Sequence, residues 1–202
     1  MITAADALAR LRDGNRRFVA GLPTTPPLSN YERRALAADQ APFAIVLGCS
    51  DSRVPAELVF DQGFGDLFVI RVAGNIVAPS QVGSVEFAAS KFGTKLVVVM
   101  GHSGCGAITA AVEELMDGAT TESRNLRSIV DRVRPSVEGV VRARRDLDRK
   151  MIIRESVIAN VRASVDHLRH GSELLERLTQ NEGLLIVGAK YSLDTGVVTF
   201  LD

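Results

Sequence analysis

Four short runs along the chain are almost continuously apolar and rich in β-branched residues: FAIVLG at 43–48, LFVIRV at 67–72, KLVVVMG at 95–101 and LLIVGA at 184–189. A strand with one wet face alternates polar and apolar side chains. Runs without that alternation predict parallel strands buried on both faces. Segments around 55–60, 82–92 and 105–117 read as helices between them. Strand and helix in turn predict an α/β fold: a mostly parallel central β-sheet flanked by helices. VVTFL at 197–201 predicts an added edge strand.

Two helices precede the first strand. Thr3-Ala-Ala-Asp6 has the spacing of a capping box, and Leu8, Leu11, Asn15 and Phe18 follow at helical intervals, so a helix is expected over about 4–20. After a Pro-rich connection, Ser29-Asn-Tyr-Glu32 repeats the start signal for a helix to about 38. These helices carry apolar stripes with little sheet of their own to cover, which predicts that they pack on a second subunit. Between 122 and 181 no strand-like run occurs. Leu126, Ile129, Val130, Val133 and Val137, then Val157, Val161, Val165 and Leu168, recur at helical spacing, as in a helical insertion. The expected organisation is one domain over 1–202: an N-terminal helical arm (1–40), a core (41–121), the helical insertion (122–183) and the final strands (184–202).

Composition narrows the partners. Lys plus Arg and Asp plus Glu both number 24, so there is no charge bias toward nucleic acid or an anionic membrane. Arg142, Arg144 and Arg145 are interleaved with Asp146, Asp148 and Glu155, the pattern of a solvated helix face. No apolar run approaches the roughly 20 residues needed to span a bilayer. The first residues lack the apolar core and cleavage site of a secretory signal, which predicts a cytoplasmic protein. In such a reducing compartment the two cysteines, Cys49 and Cys105, are buried thiols, metal ligands or redox groups rather than a disulfide. They lack the Cys-x-x-Cys spacing of thiol redox centres.

Cys49-Ser-Asp51-Ser-Arg53 follows the first predicted strand directly, and His102-Ser-Gly-Cys105 follows the third. Carboxyl ends of parallel strands face the crevice in which α/β proteins bind ligands, so the two motifs are expected to converge. Two thiolates and an imidazole suit zinc and leave one tetrahedral position open, as in catalytic rather than structural sites. Gly101, Gly104 and Gly106 permit a tight turn into the next helix. Asp51 and Arg53, two residues apart, are placed to pair, so the carboxylate can either bind the metal or accept a hydrogen bond from metal-bound water. His167 and His170, on the helical insertion, receive no role.

GCSDSRVPAE (48–57) with GHSGCGAI (101–108) resembles the paired signature of β-class carbonic anhydrases. The resemblance continues through GDLFVIRVAGNIV (65–77), GSVEFA (83–88) and VGAKYSLDTGVV (187–198), most of the chain. It implies one zinc ion per chain on Cys49, His102 and Cys105, with Asp51 and Arg53 as a catalytic dyad and Asp51 as an alternative fourth ligand. Gln40, Phe68 and the Gly106 N–H match positions lining the carbon dioxide pocket. Phe87 falls where many members have Tyr; its ring can wall the pocket, but any role of the hydroxyl does not transfer. Val46 stands where one branch has a Trp that binds regulatory bicarbonate, and Arg71 alone does not rebuild that site.

The activity implied is reversible hydration of carbon dioxide to bicarbonate and a proton by zinc-bound hydroxide, rising into mildly alkaline pH. The implied assembly is a homodimer or homotetramer in which Phe68 and Phe87 serve the neighbour's zinc. Two alternatives stay open: a carbonyl sulfide or carbon disulfide hydrolase on the same scaffold, and a noncatalytic zinc- or bicarbonate-binding protein.

Overall fold

The computed structural model describes residues 2–26, 28–119, 123–144 and 146–201. Arg145 and the Glu32 side chain of the second capping signal lie outside what is described. Five strands form one sheet: β1 (Ala44–Gly48), β2 (Leu67–Arg71), β3 (Leu96–His102), β4 (Leu185–Tyr191) and β5 (Val198–Leu201). Their order is β2-β1-β3-β4-β5, with β1 to β4 parallel and β5 antiparallel on β4. The α/β fold expected from the apolar runs is the one observed, and VVTFL supplies its antiparallel edge.

Successive residues of the central strands face opposite layers. Ile45, Leu47, Val97, Val99 and Ile186 share a core with Val85 of α4 (Pro79–Lys91), Val161, Val165 and Leu168 of α7 (Arg149–His170) and Leu175 of α8 (Glu173–Asn181). Val46, Val98 and Met100 share the other core with Ala7 and Leu11 of α1 (Ala4–Val19) and Val59 of α3 (Ala56–Val59). Each fully buried Leu or Ile contributes roughly 2 kcal/mol, which is why β1 and β3, buried at every residue, anchor the middle of the sheet.

One expectation changes. α1 begins at its capping box, with Thr3 Oγ1 accepting the Asp6 N–H at 3.1 Å. Its apolar stripe covers this chain's own sheet, however, and Ala7 and Leu11 are fully buried there rather than left for a partner. The surface it covers includes α3 and β5: Asn15 donates to the Val59 carbonyl at 3.0 Å and accepts from the Val198 N–H at 2.9 Å, contacts that helical periodicity does not reveal. Only α2 (Asn30–Leu36) remains outside, with Tyr31 and Leu36 exposed. The helical insertion stands before the last strands, as expected, and forms a layer of the fold. α5 (Gly106–Asp117) and α6 (Arg124–Ala143) pack beside α7, and Val161 of α7 fits against Gly101 in β3 and Gly188 in β4 so closely that added Cβ atoms would lie 2.6 and 2.8 Å from its methyl groups. On α6, Arg142 pairs with Glu138 at the surface, in keeping with a solvated face.

Asp61 ties the arm down. Its buried carboxylate accepts from Arg17 Nε at 2.6 Å and from the backbone N–H and hydroxyl groups of Thr24 and Thr25. No helix among the described residues is long and apolar enough to cross a membrane.

Candidate metal centre

β1 and β3 are neighbours, with Gly48 level with Met100. The residues that follow leave the carboxyl edge of the sheet side by side. β3 ends at His102, the chain turns through Ser103 and Gly104, and Cys105 caps the start of α5. Gly104 has φ +66°, a left-handed conformation that a side chain disfavours by about 1–2 kcal/mol. Of the three glycines around His102 it alone makes the turn. Gly101 belongs to the strand, and Gly106 opens α5 with nothing within 4 Å of where a Cβ would stand.

The structure brings Cys49, His102 and Cys105 together. One donor atom of each lies within 4.8 Å of the other two, and the sulfur atoms are 4.0 Å apart. All three side chains are buried. A tetrahedral ion with bonds of about 2.3 Å needs sulfur ligands roughly 3.8 Å apart, so the cluster has the right size. His102 Nδ1 lies 3.0 Å from the Ser103 carbonyl, and a proton there leaves the lone pair on Nε2, which is buried without a hydrogen-bond partner. An orphaned buried nitrogen beside two thiols is the signature of a ligand set.

Electrostatics within the cluster points the same way. The Cys105 thiol hydrogen-bonds Cys49 and, with help from His102 and the Gly74 N–H, holds it well below the usual thiol range against burial. The Cys49 sulfur and burial push Cys105 up. Burial resists charge on His102, but the contacts with Cys49 outweigh it and raise the imidazole. Protein groups alone thus stabilise one thiolate and not two. A divalent cation relieves that conflict, and a soft sulfur and imidazole set is compatible with zinc.

Asp51 stands beside this cluster, paired with Arg53. Its Oδ1 accepts from the Arg53 backbone N–H and Nε at 3.0 and 2.9 Å, and its Oδ2 from Nη2 at 2.7 Å. The guanidinium holds the carboxyl well below the usual carboxylate range. Oδ2 is also 3.8 Å from His102 Nε2. Arg71, across from Gly48 at the end of β2, clamps the same turn from behind by donating to the Cys49 carbonyl at 3.0 Å and the Asp51 carbonyl at 2.5 Å. That clamp, and the Gly74 N–H at 3.4 Å from Cys49 Sγ, had no signal in spacing, because both arise from folding remote segments together.

The remaining candidates lie elsewhere in this chain. Phe68 is level with Ile45, four residues ahead of Cys49, hence about 13 Å along the strand. It forms an aromatic group with Phe87 and Phe92, and Phe87 is half exposed. Gln40 is exposed beside α2 and Phe64. Only Gly106 adjoins the cluster, next to Cys105. His167 and His170 are on the last turn of α7, where Arg169 bonds the carbonyl of Ile186 near the start of β4, at the opposite edge of the sheet.

The sheet delivers a Cys-His-Cys cluster and a carboxylate-guanidinium pair to its carboxyl edge, which defines an α/β protein with a donor set compatible with a metal ion. Comparison with known proteins gives the family. The carbonic anhydrase family model matches residues 44–198. Carbonic anhydrase 2 of Mycobacterium tuberculosis is 42% identical over 193 residues, covering 95% of this chain and 90% of that protein. The crystal structure of the β-carbonic anhydrase CafA of Aspergillus fumigatus superimposes with a TM-score of 0.77 at 25% identity, covering 98% of this chain and 90% of that one. A structure described as one of two tetrameric β-carbonic anhydrases, from Sordaria macrospora, shares the fold at a TM-score of 0.77 and 22% identity, covering 97% of each chain. The chain belongs to the carbonic anhydrase family, in its β class.

Proposed function

We propose that this chain catalyses the reversible hydration of carbon dioxide to bicarbonate and a proton, with one zinc ion held by Cys49, His102 and Cys105. The observation that carries the proposal is the buried three-donor cluster with an anionic carboxylate at its side. Zinc bound there supplies an acidified water as nucleophile, with a pKa brought from 15.7 in bulk toward about 7–9.

The protein's own groups prepare the reaction. Arg53 keeps Asp51 ionised, so that the carboxylate is an acceptor and never a competing donor. It orients a water hydroxyl in the pocket, leaving a lone pair toward carbon dioxide. The Gly106 N–H, at the first turn of α5, is free of intrahelical bonding and donates to an oxygen of carbon dioxide or bicarbonate. Burial of the three ligands excludes bulk water. When Asp51 leaves Arg53 it is near enough to the cluster to serve as a fourth ligand in a resting state.

Gln40, Phe68 and Phe87 do not reach this chain's cluster, which supports an assembly of at least two chains in which they line the neighbour's pocket. The large apolar side chains left exposed, Leu58, Phe64 and Phe87 among them, support it also. We place the protein in the cytoplasm, where both thiols stay free to ligate, and treat residues 1–202 as one working unit.

Metal analysis with stopped-flow carbon dioxide hydration tests the proposal. One zinc per chain is expected, with hydration lost on chelation and regained on adding zinc. Full activity without metal overturns it, as does a zinc-loaded protein that hydrates nothing. Carbonyl sulfide run in parallel is expected to be turned over more slowly; the reverse order makes the chain a sulfide hydrolase.

A further inference from the structure

On the face of α7 that buries Val157, Val161 and Val165, three polar residues recur every four positions: Ser156, Asn160 and Ser164, each less than 10% exposed. Burying uncompensated polar groups in an apolar layer is unfavourable, so such a stripe needs a reason. It faces the turn Ala73–Asn75, where Gly74 and Asn75 both take left-handed backbone conformations, with φ of +69° and +43°. Asn160 Nδ2 donates to the Gly74 carbonyl at 2.9 Å, and Ser164 Oγ to the Asn75 carbonyl at 3.3 Å. Ser136 Oγ of α6, which donates to the Val133 carbonyl at 2.8 Å, lies 3.4 Å from the Asn160 Oδ1.

Gly74 is the link. Its carbonyl accepts from Asn160, and its N–H points the other way, to Cys49 Sγ at 3.4 Å. A side chain at 74 would meet Ala107 Cβ at 3.0 Å, so the turn has no slack on that side. We propose that Asn160 is a positioning residue for the metal centre: by holding the carbonyl of the 74–75 peptide it keeps Gly74 in its left-handed conformation, so that the N–H of the preceding peptide stays directed at the Cys49 sulfur. An N–H on a thiolate draws off part of its charge and fixes the sulfur's direction, and contacts of this kind typically set metal affinity within a factor of 10–100. The inference rests on Cys49 being a metal ligand, as proposed above.

The test uses the full chain loaded with cobalt(II), whose sulfur-to-metal charge-transfer band reports the bonds to the two cysteine sulfurs, Cys49 among them, together with competition against a chelator. Asn160→Ala is expected to shift the band and weaken cobalt binding about 10-fold. Ser156→Ala, on the same helix face, removes a hydroxyl that has no partner and is expected to change neither. Asn160→Gln, which keeps the donor, is expected to recover part of the affinity. Wild-type band and affinity in Asn160→Ala overturn the proposal, and so do equal effects from Ser156→Ala, which reduce the stripe to packing. Should Asn160→Ala not fold, Asn160→Ser keeps a small polar side chain without the amide that holds the Gly74 carbonyl, and an unchanged band there overturns the proposal. Failure of the wild-type protein to bind cobalt or zinc overturns the metal centre itself, a separate outcome.

Discussion

The two oxygens of Asp51 occupy different surroundings. Oδ1 is committed to Arg53, while Oδ2 faces both Arg53 and the imidazole of His102. Asp51→Asn keeps the shape and removes the charge, so kcat/KM for hydration is expected to fall roughly 100-fold, the scale of a general acid-base contribution, with metal content unchanged. Equal activity in the variant would show that the carboxylate does not orient the reacting water. Zinc lost along with activity would make Asp51 chiefly a ligand. Most of this site was legible in the sequence, because Cys49, Asp51 and Arg53 are local to one turn and His102 and Cys105 to another. What joins the turns to the rest was not. The Arg71 guanidinium donates to backbone carbonyls and Gly74 offers a backbone N–H, and a contact with a backbone atom leaves no mark on the type of the residue that supplies it.

Among the elements, α1 and the segment behind it depend on Asp61. This carboxylate is buried yet held well below the usual carboxylate range: burial pushes it up, and Arg17 with the Thr24 and Thr25 donors more than offsets the push. A carboxyl that binds its proton less readily when folded stabilises the fold above its unfolded pKa, about 3.9, and loses that contribution as pH falls through the lower folded value. Asp61→Ala leaves Arg17 and four other donors without an acceptor. It is expected to cost about 3 kcal/mol at neutral pH, lowering the thermal midpoint roughly 6–12 °C, with the difference from wild type shrinking in acid. An equal difference at pH 7 and pH 2.5 would remove the ionic explanation.

The turn before α5 gives a second prediction at this scale. Gly104→Ala is expected to lose about 1–2 kcal/mol and to lower metal occupancy along with it, since Cys105 follows directly; unaltered occupancy would show that α5 can shift to compensate. Strand positions were readable because β1 and β3 are buried on both faces and their apolar runs admit no other placement. The placement of α1 was not, since its short stripe says that something is covered without saying what. In α7 the sequence shows the apolar stripe of Val157, Val161, Val165 and Leu168; Ser156, Asn160 and Ser164 recur beside it every four residues and form a set only opposite the 73–75 turn.

For the whole molecule, the separation of Phe68, Phe87 and Gln40 from the cluster makes a sharp prediction. If they complete a neighbour's pocket, two inactive variants should rescue each other. Cys49→Ala lacks a ligand but keeps the aromatic wall, and Phe68→Ala keeps the ligands but damages the wall. Mixed and refolded together, they are expected to regain up to about a quarter of wild-type hydration through hybrid assemblies with one intact site, as random pairing dictates. Sedimentation should show at least a dimer. A fully active monomer, or no recovery in the mixture, would return these residues to a packing role.

The adjacency of β1 and β3 has a consequence for how the protein acquires its ion. The distance between the two ligand-bearing turns is fixed by interstrand hydrogen bonds in the middle of a buried sheet, with Gly48 and Met100 in register. That sheet owes its order to Val, Ile and Leu, not to the ligands. Unlike a zinc finger, whose fold is the product of binding, this chain is expected to keep its helical and strand content after chelation, as followed by far-ultraviolet circular dichroism. Loading is then a late capture event, and the active fraction in a cell follows the supply of free metal rather than the success of folding.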